Sequence, residues 1–343
     1  MGLLNLSTNI FGLDIGDLSL KVAFLKKRGK RIELKTYGEK ILPPDYFFKG
    51  EIKKEKEVAQ TIKKFIEEKN ISTPYVIAVL PETKTFIKTI EILSSDVGDV
   101  LETIKKEIEQ HIPLELEEVY FDWQRFSQNG KSKILVGLAP KSIVDSYVRI
   151  LKMAGLKPVA LEIESIAILR ALIDKNEELM KPRIIIDFGA TRSSLIIVDE
   201  GTIQLTISLP FSGEDLTKEI ATKLKISLER AEKIKKEMGK ENKDKILEEI
   251  VYSFLNNLTT TLGSHINFYE ENSKRKIEEI IICGGGANLF KLDSFLEENL
   301  KIKVKKGNPF QKIFKKNSSL SEEDSLVYTT AIGLALRGLE EKI

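Results

Sequence analysis

Two stretches of the sequence place acidic and small residues where strands should be apolar. Residues 11–25 read FGLDIGDLSLKVAFL, and residues 183–205 read RIIIDFGATRSSLIIVDEGTIQL. In each, an apolar run ends in Asp-x-Gly, as Asp14-Ile15-Gly16 and Asp187-Phe188-Gly189. The run that follows carries Ser19 and Lys21 in the first copy, and Thr191, Ser193 and Ser194 in the second. Glycine lets backbone N–H groups approach an anion with no Cβ in the way. Aspartate at a strand end is acceptor-only and suits a hydrated Mg²⁺ riding on phosphates. Either copy alone also reads as a polar hairpin turn. Two copies in matching contexts shift the reading toward phosphate binding.

A third stretch, IIICGGGANL, sets three consecutive glycines between an apolar strand and a helix. An ordinary strand-to-helix loop needs only one, so a ligand base or ribose lying against that backbone is expected. In SGEDLTKEIA…ERAEKIKKE, Glu232 and Lys235 could serve a ribose and purine, although composition alone favours a solvated charged helix there. The remaining chemistry is sparse. There are two histidines, one cysteine, no GxxxxGK[ST] and no GxGxxG, so metal clusters, Cys-His pairs, P-loop and Rossmann sites are unsupported. The 54 basic and 52 acidic residues interleave along helices, as in EIKKEKEVAQTIKKFIEEKN, which argues against a nucleic-acid surface. No apolar run approaches the ~18 residues of a membrane span. With a single cysteine and no signal-peptide pattern, the expected compartment is a reducing cytoplasm.

The elements that must position these residues follow from apolar periodicity. Strands are predicted at 11–15, 19–26 and 31–37, a charged amphipathic helix at 54–69, and a strand at YVIAVL, ended by Pro81. TFIKTIEIL reads as a strand and SSDVGDVLETIKKEIEQHI as a helix stopped before Pro113. EEVYFDWQRF and KILVGLAP read as strands joined by the turn SQNGK, and a helix at 141–154 closes at Gly155. This αβ unit looks inserted, because PVALEIE then resumes the earlier strand pattern. At Lys181-Pro182 the chain starts over, so two related halves are expected. A helical region over 213–272 is interrupted by the polar KKEMGKENKDKI. The strand EEIIICGGG, a helix at 289–299, the short strand KIKVKKG and a last helix, SLVYTTAIGLALRGL, follow.

In this order, GLDIGDLSLKVAF, IIIDFGATRSSLIIV, IIICGGGANLF and YTTAIGLALR resemble the phosphate-1, phosphate-2, adenosine and closing-helix motifs of the actin-like ATPase superfamily. The resemblance covers nearly the whole chain. It implies an α/β, actin-like (ribonuclease H-like) two-domain fold with an inserted small αβ 1C (SHS2-like) subdomain. Subdomain 1A would span 1–82 and 156–181, 1C 83–155, 2A 182–212 and 276–324, and 2B 213–275, with the closing helix of 325–343 packing back on 1A. The implied cofactors are ATP and Mg²⁺, with the nucleotide in the cleft between the domains. Asp14 and Asp187 would organise the metal through water. Gly16, Asp17, Ser19, Lys21, Gly189, Ala190, Thr191 and Arg192 would hold the phosphates. Gly213, Glu232, Lys235, Gly284, Gly285, Gly286 and Asn288 would line the adenosine and ribose. Hydrolysing members position water with a Gln or Glu after the strand equivalent to PVALEIE, where Glu164, and after it Glu162, stand here. Glu164 also reads as an acidic first-turn residue favourable to a helix dipole.

The αβ insert narrows the resemblance to the FtsA/PilM branch, and IKKEIEQHIPLELEEVYFDWQRF with APKSIVDSYVRILKMAGLKPVALEIESIAILRAL looks like the type IV pilus assembly family of PilM. That family implies a cytoplasmic, ATP-binding component of the pilus inner-membrane assembly platform, with weak or absent hydrolysis. Its implied partner is the N-terminal cytoplasmic tail of a PilN-like membrane protein. Other platform or motor proteins, and further copies in a ring, are implied as well. Membrane contact is expected only through partners. The alternatives are an FtsA-like filament-forming cell-division ATPase and, less well supported, a small-molecule kinase of the same fold.

Overall fold

The computed structural model describes residues 9–92, 100–106, 115–128, 131–174, 180–238, 245–314 and 320–341. The chain forms two compact units, one of residues 1–174 and 308–343, the other of 175–307.

The first unit opens with three antiparallel strands, β1 (Phe11–Ile15), β2 (Ser19–Arg28) and β3 (Arg31–Ile41). A short hairpin of β4 (Phe47–Phe48) and β5 (Glu51–Ile52) leads into helix α1 (Glu55–Glu68). Val58, Ala59, Ile62, Phe65 and Ile66 form the buried stripe of α1, at the three- and four-residue spacing of an amphipathic helix. Strand β6 (Tyr75–Leu80) pairs parallel with β1. Then comes the insert, β7 (Phe86–Ile92), β8 (Val119–Gln128) and β9 (Lys131–Pro140), with β9 antiparallel to both others. These strands enclose a core of their own, built from Ile90, Ile92, Val100, Ile104, Val119, Ile134, Val136 and Leu138. The helix expected over 94–112 is described only at 100–106; its other residues, and Asn129-Gly130 of the expected turn, lie outside the described residues.

Helix α2 (Lys141–Met153) does not share the insert's core. Its Ile143, Tyr147, Ile150 and Leu151 pack in the core that holds Val58, Ile62 and Phe65, and Arg149 donates to both oxygens of Glu55 at 2.8 Å. The insert is therefore anchored on α1. Strand β10 (Lys157–Ile163) returns parallel to β6, completing the order β10-β6-β1-β2-β3, and helix α3 (Glu164–Leu172) follows directly.

The second unit repeats that layout. Strands β11 (Arg183–Phe188), β12 (Ser193–Asp199) and β13 (Thr202–Leu209) are antiparallel, and the fully buried run Ile184–Ile186 places β11 inside the sheet. The helical region resolves into α4 (Gly213–Leu224), α5 (Leu228–Glu237) and α6 (Lys245–Ser273). Strand β14 (Glu279–Cys283) pairs parallel with β11, and after α7 (Leu292–Leu300) strand β15 (Lys303–Lys306) pairs parallel with β14. The order β15-β14-β11-β12-β13 matches the first unit strand for strand.

Residues 308–314 belong to the first unit, whereas the sequence reading placed that crossing at 325. Phe314 N donates to the Ile32 carbonyl at 2.7 Å, and Lys312 Nζ to the carbonyls of Arg170 and Ile173 at 3.1 and 3.0 Å. Helix α8 (Thr329–Gly338), almost wholly buried, lies directly on β1. A side chain at Gly12 would collide with the Ala331 carbonyl and sit 2.7 Å from Ala335 N, so glycine is required for this approach. The strand that carries Asp14 is thereby clamped from behind.

Candidate functional site

In open α/β sheets, ligands lie beyond the carboxyl ends of the parallel strands. In the second unit those ends are the Asp187-Phe188-Gly189 turn after β11 and the Cys283–Gly286 run after β14. Asp187 pairs in register with Ser194 on one side and with Cys283 on the other. The Cys283 thiol donates to Asp187 Oδ1 at 3.5 Å. Gly284 has φ 79° and ψ 175°, a conformation open essentially only to glycine. A Cβ there would collide with Asp187 Oδ1 and lie 2.6 Å from the Phe188 carbonyl oxygen. The glycine triplet is thus partly explained within the protein: its backbone is pressed against the aspartate turn.

The same turn is tied to the start of α4. Gly213 N donates to the Gly189 carbonyl at 3.1 Å, and Glu214 N to that of Ala190 at 2.8 Å. Ser212 caps this helix, its Oγ accepting from Asp215 N at 3.1 Å. Lys235 reaches over from α5, donating to the Gly213 carbonyl and to Thr217 Oγ1, each at 2.8 Å, and pairing with Glu232 at 2.6 Å. Thr217 also donates to Glu232 at 2.6 Å. Burial pushes the Glu232 carboxyl up, but the hydrogen bonds from Lys235 and Thr217 outweigh it and hold it below the ordinary glutamate range. The structure therefore brings Asp187, Gly189, Ala190, Gly213, Glu232, Lys235, Gly284 and Gly286 into one corner. Thr191 and Arg192 are half-buried in the turn itself, while Gly285 and Asn288 are exposed on the single turn Gly285–Asn288. The helix bearing Lys235 and Glu232 is more than a solvated face, because α5 is fastened to α4 through these two side chains.

The first unit has the corresponding turn after β1. Gly16 N donates to the Ser19 carbonyl at 3.0 Å, closing the hairpin, and Asp14 and Ser19 are buried. Lys21, in register with Asp14, lies 3.8 Å from it and 3.8 Å from Glu39 on β3. Its ammonium is thus held between two carboxylates. Asp17 is engaged elsewhere, its Oδ1 accepting from Gly50 N at 3.1 Å.

At the end of β10 the two glutamates separate in role. Glu162 accepts from Arg170 with both oxygens at 2.6 Å and from Arg337 at 3.0 Å, so it is an ion-pair anchor between α3 and α8. Glu164, also buried, is the first residue of α3. Its helix starts at Ile163, which has no side-chain cap to offer, and the cap comes from a residue the sequence reading passed over. Buried Glu82 accepts from Ser165 N at 3.3 Å through Oε2, bringing negative charge to the helix N-terminus. Glu82 follows β6 as Glu164 follows β10, and the pairing of Leu80 with Ile163 sets them side by side. The available signal was a carboxylate just past Pro81 at a strand end.

Comparison with known proteins bears on this arrangement. A family model described as type IV pilus assembly protein PilM matches residues 12–339. Among solved structures, the PilM-PilN type IV pilus biogenesis complex superposes with a TM-score of 0.84 at 25% identity, covering 97% of this chain and 99% of that one. Ethanolamine utilization protein EutJ of Carboxydothermus hydrogenoformans gives 0.58 at 15% identity over 95% and 88% of the two chains. ADP-bound MreB5 of Spiroplasma citri gives 0.56 at 13% over 94% and 95%. The last two share the fold alone, which is the actin-like two-domain fold expected from the motifs. Cell division protein FtsA of Bacillus subtilis is 27% identical over 146 residues, which is 41% of this chain and only 32% of FtsA.

Proposed function

The chain belongs to the type IV pilus assembly protein PilM family, and from that premise we propose that it binds ATP and Mg²⁺ and uses them to set the conformation that holds a PilN-like tail. The observation carrying this reading is the duplicated strand-end turn, Asp14-Ile15-Gly16 and Asp187-Phe188-Gly189. In the second unit that turn is packed against Gly284 and hydrogen-bonded to Gly213. Peptide N–H groups in such turns donate to phosphate oxygens, and glycine removes the Cβ that would hold them off. Gly16, Ser19 and Lys21, with Gly189, Ala190, Thr191 and Arg192, take the phosphates in this reading. Asp17 contributes by fixing the first turn through Gly50. Gly213, Glu232, Lys235, Gly284, Gly285, Gly286 and Asn288 take the nucleoside.

Asp14 and Asp187, each at the turn of its own unit, are the residues that would hold Mg²⁺ in this reading. They are hard oxygen donors, of the kind suited to an ion that keeps most of its positions for water and phosphate. Bound there, the ion would neutralise phosphate charge. The protein's part is orientation: Cys283 and Gly284 hold Asp187, Lys21 stands beside Asp14, and α8 backs the strand that carries it. In this reading Glu164 orients water, and its helix α3 is held by Glu82 and the Glu162 ion pairs. A ligand that binds one arrangement of the protein better than another shifts its population, so nucleotide serves as a clasp even with little turnover.

That the matched solved structure is of a PilM-PilN complex supports a PilN-like tail as the partner. Among the described residues no helix is long and apolar enough to cross a membrane. Titration calorimetry tests the reading. Wild type should bind Mg·ATP and retain a synthetic N-terminal tail of a PilN-like protein, and Asp187→Ala should fold yet lose Mg·ATP. Equal affinity in both proteins overturns the phosphate assignment. Nucleotide-dependent pelleting without tail binding would favour the FtsA-like alternative instead.

A further inference from the structure

The sole cysteine is fully buried at the last residue of β14 and in register with Asp187. A buried cysteine is ordinarily a small hydrophobe that fills space. Two features set this one apart. In a parallel pair, residues in register project to the same face, so Cys283 and Asp187 stand side by side, and the thiol lies 3.5 Å from Oδ1. The next residue, Gly284, presses its backbone against the same oxygen. Oδ1 is thus bounded by a donor on one side and a Cα on the other.

We infer that Cys283 is a positioning residue for the nucleotide site: its S–H donates to Asp187 Oδ1 and fixes the carboxylate rotamer. Gly284 leaves room for that rotamer, so the two residues act as one unit. This rests on the nucleotide reading, because the carboxylate matters only if it serves Mg·ATP. The thiol is kept reduced and neutral in this role, and no covalent chemistry is involved. A serine retains the donor; alanine and valine do not.

Two measurements separate the inference from the reading it rests on. The single S–H stretch is assignable in the infrared without labelling, because there is only one cysteine. It should be shifted by hydrogen bonding in the wild type and move to the free position in Asp187→Ala, with no nucleotide present. Calorimetry should then give Mg·ATP binding weakened about tenfold in Cys283→Ala, as for loss of one hydrogen bond to a charged group. Cys283→Ser should stay near wild type, and adenosine affinity should be unchanged in both. An unshifted S–H band, or Cys283→Ser as impaired as Cys283→Ala, overturns the inference while leaving the nucleotide reading standing. A shifted band with no Mg·ATP binding by the wild type removes the functional role and the nucleotide reading together.

Discussion

Replacing Gly284 by alanine tests whether the glycine triplet exists for backbone geometry or for flexibility. At φ 79° and ψ 175° an L-residue occupies a region open essentially only to glycine, which costs about 1–3 kcal/mol. The new methyl would also lie 2.6 Å from the Phe188 carbonyl oxygen and 2.9 Å from its carbon. Relieving that overlap should cost a further ~1–3 kcal/mol, the usual range for overpacking. The expected total, about 2–6 kcal/mol, is large beside a typical domain stability of about 5–15 kcal/mol.

Gly29 supplies the control. It also has positive φ, at +60°, but a Cβ there meets nothing within 4 Å. Gly29→Ala should therefore cost only the left-handed backbone penalty, about 1–2 kcal/mol. Urea titration of both variants should place Gly284→Ala well below Gly29→Ala in midpoint, and only Gly284→Ala should also lose Mg·ATP affinity by calorimetry. Equal midpoints together with equal affinity would refute both the packing of Gly284 on Asp187 and its place in the site.

Four further substitutions probe the supports of the site. Glu162→Ala would strand the Arg170 and Arg337 guanidinium groups and should cost about 3 kcal/mol, whereas Glu341→Ala, at the half-buried outer end of the same network, should stay within about 0.5 kcal/mol, both read from denaturant midpoints. Glu82→Ala removes the cap of α3 and should cost about 1 kcal/mol, checked by the same titration; no loss would show that α3 does not rely on it. Glu232 has its carboxyl held below the usual value in the folded state, so its contribution is present above the unfolded pKa of about 4.3 and is lost as the pH falls through the lower folded value. Glu232→Gln should remove that part of the acid limb from a plot of stability against pH, and an unchanged limb would contradict the Lys235–Thr217–Glu232 cluster.

Much of this arrangement was legible because it rests on local pattern. Each Asp-x-Gly interrupts an apolar strand and announces a turn, and the repeat of the layout pointed to two related halves, which the structure builds on the orders β10-β6-β1-β2-β3 and β15-β14-β11-β12-β13. What stayed hidden depends on pairing between distant strands. Glu82 acquires its partner only because β6 and β10 lie parallel, and the binding of Asp17 to Gly50 joins residues 33 apart. Helix α2 read as part of the insert because it follows β9 directly. Its apolar face instead completes the core with α1, a choice set by tertiary packing that no periodicity encodes. The PilM family match over residues 12–339 agrees with what the motifs implied.

The two copies of the turn have diverged in a way that bears on what each contributes. The residue in register with Asp14 on the neighbouring strand is Lys21; the one in register with Asp187 is Ser194. A lysine 3.8 Å from its aspartate partly neutralises that carboxylate, and Glu39 shares the same ammonium. Asp187 is flanked in register by the buried Ser194 and by the Cys283 thiol. On the proposed nucleotide reading, Lys21 is the cation that the first turn would offer to phosphate. The two turns thus share one strand order and differ at the same register position, Lys21 in the first and Ser194 in the second.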